Sequence, residues 1–259
     1  MQANSYDLLL KIAVAASLVG TIMINYLAQM KPFNGMTPGE VSDSLPNLFV
    51  PAGLTFSIWG VIYLMLSVFA VFQFGFGPRT PIENLLNTVR LMFIINMASN
   101  VAWIFAWHYR HFALSLLLMA VNLVTLILIN LKMDQFVLTG LEKFVFRLPF
   151  NLYFGWVTVA AVANVTALLV AKNWNRLGQT EQGWTNIILV VAALIGTVTM
   201  LVRSDIVYGL VLIWAYLGIL IKHQSPEGFA KKYPLVIRTA IACLFVFAVS
   251  VALMIFKVL

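Results

Sequence analysis

Eight stretches of roughly 20 largely apolar residues leave this chain few ways to fold. They run at about 8–29, 54–75, 87–107, 112–131, 148–171, 185–202, 205–221 and 235–256. Each is long enough for an α-helix to cross the hydrocarbon of a bilayer. There a helix answers its own backbone hydrogen bonds, which water cannot do for it. The charge that a soluble surface requires is missing. Only 10% of the 259 residues are charged and 62% are hydrophobic, with a mean hydropathy of +0.95. A soluble domain carries about 25% charge. The expected architecture is an all-α, polytopic membrane helix bundle of about eight transmembrane helices.

The net charge of +7 comes from basic residues scattered singly between apolar runs. That distribution suits headgroup contacts and loop topology, not a nucleic-acid patch, so membrane lipid is an expected partner and nucleic acid is not. Eight Lys or Arg fall on each side of an eight-span chain, which leaves the positive-inside rule nothing to decide. Cys243 stands alone, so an intramolecular disulfide is excluded. Lys11 precedes the run Ile12 to Ile24, but no small-x-small cleavage pattern follows, and a retained first span is expected. Lys11, near an end, can snorkel. Met30 to Pro51 carries four prolines and two glycines, too many breakers for a regular helix. The sixth and seventh stretches are separated by Arg203-Ser204-Asp205, a tight helical hairpin. Lys172 to Gly183 is the most polar stretch of the second half and a candidate seam.

Polar residues inside the spans are amides, hydroxyls and aromatics. Tyr153, Trp156, Ala160 and Asn164 recur at offsets of three, seven and eleven, one helical face. Asn96, Asn100, Trp103 and Trp107 form a second such stripe, and Trp59 and Tyr63 sit one turn apart. Amides in hydrocarbon either bridge helices or face a cavity, and the stripes allow both readings. Trp59 also suits an interfacial belt. No Asp, Glu or Lys stands clearly mid-bilayer, which argues against a coupled pump and against acid–base catalysis there. Arg90 opens the third span. His108, His111 and His223 lie near span ends without a third ligand beside them, so no metal site and no catalytic residue is assigned.

Three segments together resemble the tryptophan-rich sensory protein family, also called the translocator protein or peripheral benzodiazepine receptor family. They are Pro51 through Trp59 to Tyr63, Asn100-Val-Ala-Trp103-Ile-Phe105, and Tyr153-Phe-Gly-Trp156-Val-Thr158-Val-Ala160 through Asn164. The order, on the second, third and fifth spans, is similar to that family's. Two positions depart from its pattern: Leu152 stands where the family has proline, and Val159 where it has an aromatic. The fifth span also ends without the tyrosine of the animal sterol motif.

The resemblance implies a five-helix ligand-binding bundle over residues 1–172, followed by a three-helix membrane extension over 173–259 with no counterpart. It implies a cavity lined by Trp59, Tyr63, Asn100, Trp103, Tyr153, Trp156 and Asn164, with the Met30–Pro51 loop as a lid that orders on filling. The function expected is a receptor or sensor of a small hydrophobic planar ligand. No cofactor is required, and a tetrapyrrole (protoporphyrin or haem) is the expected ligand. Two rivals stand beside it: a facilitative transporter of a small lipophilic solute, and a tetrapyrrole-degrading enzyme. A multi-pass protein of a bacterial inner membrane is expected. A homodimer through small residues such as Ala13 and Ser17 is a further expectation.

Overall fold

The computed structural model describes residues 2–30, 33–75 and 83–256, and the side chains of all of these but 2–5 and 83–85. Lys31, Arg79 and Lys257, three of the sixteen cations weighed for orientation, lie outside the described residues. No strand occurs among the described residues, and eight helices there are long and apolar enough to cross a membrane. Their α-helical parts are α1 (Gln2–Met30), α2 (Ile58–Phe72), α3 (Glu83–His108), α4 (Phe112–Met133), α5 (Leu148–Ala171), α6 (Glu181–Arg203), α7 (Ile206–Gln224) and α8 (Pro234–Ile255). The second and fifth spans reach their full length, Gly53–Phe72 and Gly140–Ala171, through the helical turns before α2 and α5. The chain is an all-α polytopic membrane protein.

The helix ends follow local chemistry. A 3-10 turn, Gly53–Ser57, leads into α2 just after Pro51. The helical path into α5 starts earlier than hydropathy predicts. Thr139 and Glu142 form a capping box, and a π-helical turn, Lys143–Arg147, joins that start to α5. Ser204, left-handed at φ 48, closes α6, and Asp205 caps α7 by accepting the Tyr208 N–H at 3.0 Å. The hairpin read at Arg203-Ser204-Asp205 is therefore present. The long first loop is more regular than its breakers predict. It contains a short helix, Pro38–Asp43, because Pro38 occupies the first position, where a missing N–H costs nothing.

Contacts cluster the chain into two units, Met1–Pro38 with Trp59–Phe154, and Gly39–Ile58 with Gly155–Leu259. This boundary follows packing, whereas the division at residue 172 follows the reach of the resemblance.

In the first unit α3 has both α1 and α4 against it. Phe69 of α2 and Phe93 of α3 meet Phe150 of α5, with ring centroids 4.9 Å (Phe69–Phe150) and 6.0 Å (Phe93–Phe150) apart. At one end of these helices sits Arg90, fully buried. It donates to Asp7 at 2.5 Å, to the Asn87 side chain at 2.6 Å and to the Gln73 side chain at 3.1 Å. Lys11, expected to snorkel, pairs instead with Asp7 at 2.5 Å, one turn back on its own helix. A cation is tolerated in such a place only when charge and hydrogen bonds are both answered.

In the second unit α8 lies against α6 and α7. The buried Tyr216 hydroxyl donates to Leu189 O at 2.7 Å, and the Tyr216 ring meets Phe247 edge-on at 5.0 Å. Residues 43–58 form a strap moored on α7. Ala52 N–H donates to Gly218 O at 2.9 Å, and Trp214 Nε1–H to Thr55 O at 2.9 Å. The buried His223 ring donates Nε2–H to Leu48 O at 2.9 Å, and Lys222 lies 3.6 Å from Asp43. Any release of this segment breaks all four contacts, so a lid that orders only on filling does not suit residues 43–58.

Two stability predictions follow from these anchors. Arg90→Met should cost about 3 kcal/mol, the lower range for stripping one partner from a buried pair, because Asp7 keeps Lys11. Asp7→Asn should cost at least as much, because it takes the carboxylate from both Arg90 and Lys11; unfolding of the detergent-solubilised protein, followed by tryptophan fluorescence, reads both. Gly218 has the Thr55 side chain directly over it, and a Cβ there would sit 2.8 Å from Thr55 Cβ. Gly218→Ala should therefore cost about 1–3 kcal/mol through overpacking and speed proteolysis within residues 43–58. Unchanged cleavage would disprove the close approach.

Candidate functional site

The aromatic and amide residues singled out above are shared between the two units. In the first unit four of them form a continuous polar–aromatic ladder. Asn25 of α1 donates to the Asn100 carbonyl of α3 at 3.0 Å, and Asn100 donates its own amide to the Tyr153 hydroxyl of α5 at 3.2 Å. The Tyr153 ring meets Trp59 at 5.7 Å and 64°, and Trp59 stacks on Tyr63 at 5.3 Å and 23°. Tyr153 is 1% exposed and Asn100 is 2% exposed. The Tyr63 hydroxyl is buried yet has no hydrogen-bond partner.

The geometry follows from helical spacing. Trp59 and Tyr63 are one turn apart on α2, so their rings overlap along a single face. Asn100 is buried in α3, where an amide unanswered by water must find another span. Asn25 answers it. Sequence reasoning passed over Asn25, although an amide inside the apolar run of the first span was the available signal.

Trp103, the fifth predicted residue of this unit, stacks on Trp107 at 5.6 Å and 21°. Trp107 in turn donates its indole N–H to Pro38 O at 3.0 Å. Nearby, Phe33 packs on Phe105 at 5.0 Å, and Asn34 donates to His108 O at 3.0 Å. The first part of the long loop is thus moored on the end of α3. Asn96, one turn from Asn100, is separate glue: it donates to Asn122 O at 3.0 Å and to the Thr125 hydroxyl at 2.7 Å on α4.

Trp156 and Asn164 belong to the second unit. Trp156 meets Phe56 of the strap edge-on at 5.8 Å, and Asn164 donates to Ala160 O, one turn back on its own helix, at 2.9 Å. Gly155 beside Trp156 allows α5 and α7 to touch, since a Cβ there would lie 2.9 Å from Val211 Cβ. His108, considered as a ligand, donates Nδ1–H to Ile104 O at 2.6 Å on its own helix.

The ladder offers ring faces, an amide and a hydroxyl with unused capacity. It contains no carboxylate, thiol or imidazole. Such a set can stack against a flat ring and exchange hydrogen bonds with its polar edge.

The family described as TSPO-like protein matches residues 11–253. The chain belongs to that family. No curated protein and no solved structure matches the chain significantly. The TSPO-like match runs through all eight spans, the last three included, so those helices fall within the matched region.

The ladder makes a graded prediction. Tyr153→Phe should cost about 0.6 kcal/mol, the average for an interhelical hydrogen bond in a membrane protein. Asn100→Leu should cost more, about 1–3 kcal/mol, because it strands the Tyr153 hydroxyl in a dry place. Equal losses for the two variants in detergent unfolding would show that the ladder is not continuous.

Proposed function

We propose that this TSPO-like membrane protein binds a hydrophobic planar ligand of the tetrapyrrole class on the Trp59–Tyr63–Tyr153 face, for sensing, sequestration or transfer. The observation that carries this reading is the Tyr63 hydroxyl, buried at the end of the ladder with no partner. A buried hydroxyl left unpaired costs about 1–3 kcal/mol. A pyrrole nitrogen or propionate edge would satisfy it, while the flat macrocycle would lie on the Trp59 indole. Tyr153, already held by Asn100, would fix the ring orientation. Trp103, Trp156 and Asn164 keep the role that the resemblance gives them only as part of this proposal. The bacterial inner membrane is the location we assign with it.

Quenching of tryptophan fluorescence by protoporphyrin IX, on protein purified in detergent, tests the reading. Saturable quenching is expected. Tyr63→Phe should weaken affinity about tenfold, the value of one lost hydrogen bond in a dry site. Trp59→Leu should weaken it further. Quenching that rises linearly and equally in all three proteins would sink the proposal.

A further inference from the structure

A cavity of about 310 Å³ opens in the second unit, where α5 ends and α6 begins. It shares no residue with the aromatic–amide ladder and is argued independently of it. Leu48 of the strap, Thr166 of α5 and Thr185 of α6 are buried parts of its lining, and Val170 gives it an aliphatic wall. Trp174 and Trp184 stand on another side, edge to face at 4.5 Å and 69°. Arg176, exposed, and Glu181, half-exposed, bring the two charges to the lining.

The loop that presents Arg176 is held in a costly shape. Arg176 and Leu177 are both left-handed, at φ 56 and φ 54, a region that side chains other than glycine avoid. Asn175 sustains the shape by accepting the Leu177 N–H at 3.1 Å.

Two tryptophans near span ends could be no more than belt aromatics. What sets this place apart is unused bonding capacity converging on one space. Among the described residues, neither indole N–H, nor the Arg176 guanidinium, the Glu181 carboxylate or the nearly buried Thr185 hydroxyl has a hydrogen-bond or ionic partner in the protein.

The two charges decide the class of ligand. Glu181 would repel a simple anion, and Arg176 a simple cation. We propose that this cavity binds a phosphoester zwitterion, a phosphate and an ammonium a few bonds apart, as in a phosphoethanolamine group. Arg176 and an indole N–H take the phosphate through charge-assisted hydrogen bonds. Glu181 and an indole face take the ammonium, and Thr185 binds the ester oxygen. The volume sits at the lower end of small-molecule sites, about 300–1,000 Å³, which suits a headgroup and not a whole lipid. That headgroup chemistry can come from a bilayer lipid or from a free phosphoester in water.

The test uses the full chain in a phosphorus-free maltoside detergent, with binding followed by calorimetry. The probes are free phosphoethanolamine, dihexanoyl phosphatidylethanolamine below its micellar concentration, and dihexanoyl phosphatidylglycerol, which lacks the ammonium. Saturable binding of a phosphoethanolamine probe is expected, weakened at least about tenfold by Arg176→Gln and by Glu181→Gln, the value of one charge-assisted hydrogen bond. Both are surface changes, and thermal melts confirm that the variants fold. Val170→Phe, which fills the cavity and leaves both charges, should abolish binding. Binding of the lipid probe alone identifies a bilayer source, and equal binding of the free phosphoester identifies a soluble one. The proposal is overturned if no phosphoethanolamine probe saturates or the charge variants bind as the wild type does. It is equally overturned if phosphatidylglycerol binds as tightly as phosphatidylethanolamine.

Discussion

Hydrocarbon supplies no hydrogen bonds, so a polar side chain carried into a span is costly wherever protein does not answer it. That constraint decides where the helices of this chain meet. Apolar surfaces slide against one another and against lipid at little cost, because lipid tails are as apolar as leucine. Amides and charges do not. Arg90 fixes α3 to Asp7 of α1 and to Gln73 just beyond α2; Asn96 fixes it to α4; Asn100 fixes it to α1 and α5. One helix thereby holds its neighbours at three separate levels.

The same constraint separates glue from binding surface. An intramembrane asparagine looks alike in sequence whichever role it has. Asn164 turns back to its own helix, and Asn96 bridges to the next through its amide N–H groups while its side-chain oxygen stays buried without a partner. Tyr63 and Thr185 differ. Each offers a hydroxyl that no protein group uses, next to indole rings, and each lies in a different unit. Unused capacity set beside ring faces, more than residue type, is what the two binding proposals rest on.

The eight spans were legible because length and hydropathy report directly on hydrocarbon thickness. Their partners were not. A helix presents several faces, and nothing in the order of the spans says that α1 packs on α3. Arg90 read as a residue opening a span, since its acid, Asp7, lies 83 positions away in the chain. The offsets that grouped Asn96, Asn100, Trp103 and Trp107 were correct for one helix, yet neighbours on different sides claimed them. The Trp59, Tyr63, Tyr153 and Asn100 juxtaposition was accessible through the family pattern. The cavity at Trp174 and Trp184 had no such pattern, and only the polar seam around it was visible.

On α7, Trp214, Gly218 and Lys222 recur every fourth residue, and all three face the strap. That whole stripe of a membrane helix is therefore given over to a neighbour that is not a helix. Irregular backbone packed on a membrane helix is stable where its amides and carbonyls are individually met, and α7 meets Ala52 N–H, Thr55 O and Leu48 O. The stripe acts as a template that imposes a path on a segment rich in proline and glycine. Losing or gaining one residue between Trp214 and Lys222 would turn part of that template by about 100° and leave the segment without a track to follow.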